Sequence, residues 1–331
     1  MRRSSLIALA VVTAGTVAAA IWSSVPPVAE PAAGLLFPGL GSRINDVARL
    51  EVVGSGTTVT VARGPSGWTV EQKEGYPADA DAVKRTVVAL AEATAVEPRT
   101  TQSDQYPRIG VEDPQTPGAA STQVTLRGGD GAPLAALILG KSAGEATLYA
   151  RKAGEAQSWL VKARLGALDA DPLRWIDRAP PRIPADRVSS VAIRQPDGGQ
   201  AGIRRDAPGQ PFAAFGLPDG AEANPSVVEE TAAVAAMLGL EDVARLDPAL
   251  FSNAVVTTVR TFDGLLLTVR TARRDGQAWI ALDAAAEGEA AAAQAKDWQT
   301  RHAGWQYRVF EAVGRDLTRT PADFLATEGA K

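Results

Sequence analysis

The feature that most constrains this chain is that its middle repeats its beginning. "NDVARLEVVGSGTTVTVARG" (45–64) is echoed by "DRVSSVAIRQPDGGQAGIRRD" (186–206), so that Val47, Leu50 and Val52 recur as Val188, Val191 and Ile193, each 141 residues later. Both stretches have the period-two alternation of half-buried strands, and the first carries a Gly54-Ser55-Gly56 turn between its two strands. Next, "PADADAVKRTVVALAEA" (77–93) is paralleled by "EANPSVVEETAAVAAML" (222–238). The apolar residues Val83, Val87, Leu90 and Ala91 recur at helical spacing. Then come two hairpins, "TQVTLRGGDGAPLAALILGK" about Asp130-Gly131 and "TTVRTFDGLLLTVRT" about Asp263-Gly264, 133 residues apart. Asp-Gly suits the positive φ angles of a tight hairpin turn. "ATLYARK" and "SWLVK" add strands to the first copy and "AWIALD" to the second, and "WQYRVF" near the C-terminus reads as one more. A chain of this pattern builds two tandem α+β repeats, each a mostly antiparallel sheet with a helix packed on one face. The expected extents are 43–180 and 181–326.

Asp79 and Asp81 raise the question of a metal or catalytic pair. Asp79 precedes the periodic run, where an N-cap carboxylate accepts from exposed backbone N–H groups. Asp81 falls in the first turn, where the helix dipole favours an anion. The second copy has Asn224 in the place of Asp79, followed by Pro225 at the first helical position, and has no D-x-D. A cap explains both copies; a metal site explains one. Asp169 and Asp171 form another such pair within "LDADPLRWIDRAPPRIP" (168–184), read as a capped helical turn over 173–176 and then a linker.

The N-terminus carries a different signal. Arg2 and Arg3 precede an uncharged run of 17 residues, Leu6–Trp22. As a helix it is about 25 Å long, just under the usual hydrocarbon thickness. It reads as an uncleaved transmembrane anchor (1–24) with its arginines on the cytoplasmic side. A cleaved signal peptide is the other reading, with Ala18-Ala19-Ala20 as an A-x-A site. Either way the bulk of the chain is exported. Residues 25–42, rich in Pro, Ala and Gly, read as a linker.

The composition narrows the chemistry. The chain has 331 residues, a net charge of −4 and no basic block, which argues against nucleic acid. With no cysteine and one histidine, His302, it has no thiol nucleophile and no Cys- or His-based zinc site. His302 lies in the polar stretch "TRHAGW" and reads as a surface residue. "LILGKS" (137–142) ends in the Gly-Lys-Ser of a phosphate loop, but Ala135 stands where the pattern needs glycine and a strand runs through the segment. No G-x-S-x-G occurs. Trp68, Tyr76, Tyr106, Trp159 and Trp175 read as core and interface residues before a carbohydrate platform. No catalytic, cofactor-binding or metal-binding residue is expected.

"GWTVEQKEGYPADADAVKRTVVALAEATAVEPRT", "YPRIGVEDP", "VTLRGGDGAPLAALILGK" and "DPLRWIDR" together resemble a bacterial family known as domain of unknown function 4340 (DUF4340). The resemblance covers roughly residues 45–325 and is best in the first repeat. It implies an N-terminal anchor, and partnership with gliding-motility-type ABC transporter systems. It carries no catalytic residues. The expected protein is therefore a non-enzymatic accessory or scaffold of the bacterial inner membrane, single-pass, with its bulk in the periplasm. The alternative is a periplasmic module binding a glycan or other envelope polymer, and a carboxylate hydrolase comes third.

Overall fold

The computed structural model describes residues 34–326 apart from Ser55 and Ala167. The apolar run Leu6–Trp22 lies outside the described residues. Among the described residues no helix is long and apolar enough to cross a membrane.

Ten strands form the first sheet: β1 (Gly34–Leu35), β2 (Val47–Gly54), β3 (Thr57–Gly64), β4 (Gly67–Val70), β5 (Tyr76–Pro77), β6 (Thr94–Pro98), β7 (Thr122–Gly128), β8 (Pro133–Gly144), β9 (Thr147–Lys152) and β10 (Ser158–Lys162). Eight form the second: β11 (Val188–Arg194), β12 (Gln200–Arg204), β13 (Ala213–Phe215), β14 (Leu240–Arg245), β15 (Val255–Thr261), β16 (Leu265–Arg274), β17 (Gln277–Ala286) and β18 (Trp305–Val309). The spatial order of the first is β1-β6-β10-β9-β8-β7-β2-β3-β4-β5. Read from its β14 edge, the second runs β14-β18-β17-β16-β15-β11-β12-β13. Remove the two-residue edge strands β1 and β5 and the two orders are the same, strand for strand. The fold is thus α+β and mostly sheet, in two antiparallel units.

The duplication extends to irregularities. The β2–β7 pairing slips between Val47 and Arg49, and the β11–β15 pairing slips between Val188 and Ser190. These are corresponding positions, so the bulge is a shared feature of the unit. Val47, Leu50, Val52, Val188, Val191 and Ile193 are all buried.

Helix Ala80–Ala91 buries Val83, Thr86, Val87, Ala89, Leu90 and Ala91. Asp79 is its N-cap, with the carboxylate accepting from the Ala82 N–H at 2.9 Å. Asp81 lies in the first turn. Helix Pro225–Ala233 packs on β11 and β12, with Asn224 as N-cap accepting from Ser226 at 3.1 Å. Gly131 and Gly264 both take positive φ, +79° and +87°, in the β7–β8 and β15–β16 turns. Asp130 accepts from the Ala132 N–H, and Asp263 pairs with Arg187 at 2.6 Å.

Each unit closes on itself through a short segment after its last strand. The Asp79 N–H donates to Trp175 O at 2.8 Å and the Asp177 N–H to Pro77 O at 2.9 Å. In the second unit the Asn224 N–H donates to Phe324 O at 2.8 Å and the Ala326 N–H to Glu222 O at 3.0 Å. Pro172–Arg174 and Pro321–Phe324 are the matching 3-10 turns, capped from Asp171 and Thr320. The helical turn expected ahead of the inter-repeat linker is present, and with the residues up to Asp177 it forms the clasp of the first unit.

Two further expectations change. The linker assigned to 25–42 is folded from Gly34 onward: β1 pairs with β6, Leu36 and Leu40 are buried, and a 3-10 helix spans Leu40–Asp46. Apolar side chains within a Pro/Gly-rich stretch joined the core, which composition alone does not reveal. Cover also lies on both faces of each sheet. Tyr106 and Val111 pack on Ile138, and Phe251 packs on Trp279 and Ala281. The signal is the unbroken apolar run "LIL" in β8 and "AWIAL" in β17, since consecutive buried residues point to opposite faces.

Asp79→Ala and Asn224→Ala are each expected to lower the unfolding free energy by about 1 kcal/mol, the usual loss for a removed cap. Denaturant midpoints at constant m-value check this. An unchanged midpoint in either variant refutes the capping role of that residue.

Candidate functional site

The residues of chemical interest gather where the two repeats meet. β5 contributes Tyr76. β18 contributes Trp305 and Tyr307, two residues apart and so on one face. A helix found only in the second repeat, Ala292–His302, sits between β17 and β18 and ends on His302. In the first repeat the chain passes from β9 to β10 without a helix.

The four rings pack edge to face. Tyr76 meets Trp305 with centroids 4.9 Å apart at 87°, and Tyr307 at 6.1 Å and 76°. His302 Nδ1 lies 2.7 Å from the Tyr307 hydroxyl. None of the four is more than 7% exposed. The Arg245 guanidinium lies over the Trp305 ring at 3.9 Å and donates to Glu74 O at 3.0 Å. Lys73 pairs with Asp242 at 2.6 Å, both side chains about one-fifth exposed, and Arg301 reaches Asp177 at 3.9 Å. Apolar burial, aromatic contacts and ion pairs together hold one repeat against the other.

His302 is thus not the surface residue that its polar neighbours suggested. Burial, then the Arg301 charge beside it, lowers its pKa to about 4. At neutral pH the imidazole is uncharged and bonded to Tyr307. Burial likewise raises Tyr307 and Tyr76, so both phenols stay protonated. The ring is shielded from solvent and tied to a phenol. The clue in the sequence was the strand "WQYRV", whose Trp and Tyr alternate onto one face. That face must be buried, and His302 immediately precedes it across the Gly304 turn.

The other sequence candidates stand apart. Asp79, Asn224, Asp130, Gly131, Asp263 and Gly264 occupy caps and turns at separate places. The Thr261 hydroxyl and Arg187 hold Asp263 below the usual carboxylate range. Asp171 caps its turn through the Leu173 N–H at 2.9 Å, and Asp169 faces Arg174 at 3.6 Å. The Gly-Lys-Ser stretch lies within β8. A Cβ at Gly140 would come within 2.3 Å of the Ile109 carbonyl oxygen, and Lys141 donates to Arg108 O at 2.9 Å. Glycine and lysine here seat the loop that covers the sheet. Of the aromatic set, Tyr76, Tyr106 and Trp175 are buried, and Trp68 and Trp159 are half-buried on different strands. Among the described residues no group of three or more His, Cys, Asp or Glu side chains is placed to hold a metal.

The family described as a domain of unknown function (DUF4340) matches residues 68–253, more than half of the chain. The chain belongs to this family. The matched stretch runs from β4 to the end of the β14–β15 connection. It takes in both capped helices and the clasp of the first unit, so the DUF4340 signature crosses the boundary between the repeats. No curated protein matches the chain.

The His302 pKa fixes a pH dependence. The group is held below its ordinary value of 6.5, so the unfolded chain binds the proton more readily between pH 6.5 and pH 4. Its contribution is complete above pH 6.5 and is lost as the pH falls through 4. The loss amounts to about 3 kcal/mol. Unfolding free energies of the wild type and of His302→Gln, measured from pH 7 to pH 4, are expected to converge by that amount as the pH falls. Parallel curves would overturn the buried, neutral imidazole.

Proposed function

We propose that this DUF4340 chain is a non-enzymatic accessory protein of the bacterial inner membrane. It is anchored by its N-terminal apolar run, has its bulk in the periplasm, and serves as a scaffold for protein components of an ABC-type transporter or envelope complex. The observation that carries the reading is the joint itself. The chain's one histidine, the residue best suited to acid–base work at neutral pH, is buried and neutral between the repeats. The acidic pairs that resemble ligands serve as caps or face arginines. Where the chain has groups of catalytic type, it uses them to hold two copies of one sheet unit together. The arginine-flanked run Leu6–Trp22 supports placement at the membrane. The glycan-binding alternative needs exposed aromatics by a cleft between the repeats; Tyr76, Tyr106 and Trp175 are buried, which leaves it the half-buried Trp68 and Trp159 on different strands.

The test is crosslinking in intact cells with tagged full-length protein, followed by capture from solubilised membranes. Recovery of transporter subunits together with an unshortened chain is expected. A shortened, soluble protein without membrane partners would overturn the reading. So would substrate turnover by the purified chain that is lost on replacing a carboxylate.

A further inference from the structure

The duplication allows one repeat to be compared with the other, and one place differs in kind. In the second repeat Arg319, 6% exposed, lies in the groove between helix Pro225–Ala233 and the closing segment. Its guanidinium donates to Val227 O at 3.1 Å, to the Thr231 hydroxyl at 2.8 Å and to Asp316 at 2.9 Å, and it pairs with Glu230. The groove is filled by the chain's own side chain.

The caps and clasps set the correspondence. Asp79 matches Asn224, so Ala82 matches Val227, Arg85 matches Glu230 and Thr86 matches Thr231. The two threonines are confirmed as partners by their bonding, for each donates to the carbonyl four residues back. Asp171 matches Thr320, so the residue preceding it, Ala170, stands where Arg319 does. The first repeat therefore lacks the plug, and its wall carries a cation where the second carries a carboxylate. An open cleft of about 350 Å³ results, lined by Ala82, Arg85, Thr86, Arg164, Arg174 and Trp175 among others. Two carboxylates also line it: Asp79, which caps the helix through the Ala82 N–H and lies 3.7 Å from Arg85, and Asp169, which lies 3.6 Å from Arg174. Three arginines against two carboxylates leave the lining net positive, and their forked N–H donors favour an oxyanion.

We propose that this groove of the first repeat binds a phosphate-type oxyanion, either free or carried on a lipid headgroup, in the place that the second repeat fills with Arg319. The cleft is large enough for the oxyanion and a small organic group attached to it. The proposal is independent of the transporter partnership, because it concerns one repeat and a ligand of its own.

The experiment is a calorimetric titration of the purified full-length chain with inorganic phosphate and, separately, with a short-chain phosphatidylglycerol. Tighter binding of phosphate identifies the free ion as the source, and tighter binding of the lipid identifies the headgroup. Either result supports the groove if it is lost in the variants. Arg85→Glu is expected to weaken binding at least tenfold without changing Tm, because that side chain is 70% exposed. The double variant A170R/R85E rebuilds the second repeat's plug and is expected to abolish binding while remaining folded. Absence of binding to the wild type, or equal binding by wild type and both variants, would overturn the proposal.

Discussion

Each repeat depends on a backbone pairing between the start of its helix and the segment that follows its last strand. Two N–H···O bonds, from Asp79 to Trp175 and from Asp177 to Pro77, tie the N-cap of the first helix to the end of the unit. The same two bonds recur between Asn224 and Phe324 and between Ala326 and Glu222. The pairing joins residues about a hundred positions apart and so closes the intervening sheet into one unit. It also buries Trp175 in one unit and Phe324 in the other, which fills the space under the helix start. A cap side chain and a clasp backbone thus act on the same turn, and this accounts for the persistence of both in copies that have otherwise diverged.

Divergence is concentrated where the copies need not agree. The second unit adds helix Ala292–His302 between β17 and β18, and that helix brings His302 to Tyr307. The first unit adds the short strand β5, and that strand brings Tyr76 to Trp305. The joint is made from features that each copy holds alone. Two identical units would meet through one self-complementary patch or leave an open end. Different additions let one edge recognise the other within a single chain. The same logic separates the two helix grooves: Arg319 against Glu230 closes one, while Arg85 opposite Ala170 leaves the other open.

The sequence made the strands, the capped helices and the hairpin turns legible because their signals are local. Period-two alternation placed β2 and β11, Asp-Gly placed two turns, and Asp79 and Asn224 stand before their periodic runs. The D-x-D motif was interpretable only because a second copy existed to compare. Less visible were Leu36 and Leu40, which Pro/Gly composition disguised as linker, and His302, whose neighbours in sequence are polar while its neighbours in space are aromatic.

What the sequence determined by itself was the repeated unit: its strands, its helix start, its turns and its DUF4340 membership. These rest on interactions within about twenty residues, where spacing and residue type suffice. Only the tertiary structure decided how the units are used. It placed a histidine and two tyrosines from both repeats in one buried cluster, and it left one of two equivalent grooves open. The first joins Tyr76 to Trp305 and Tyr307, the second sets Arg319 against a helix 88 to 92 residues earlier, and both distances in space are set by how the sheets stack and close.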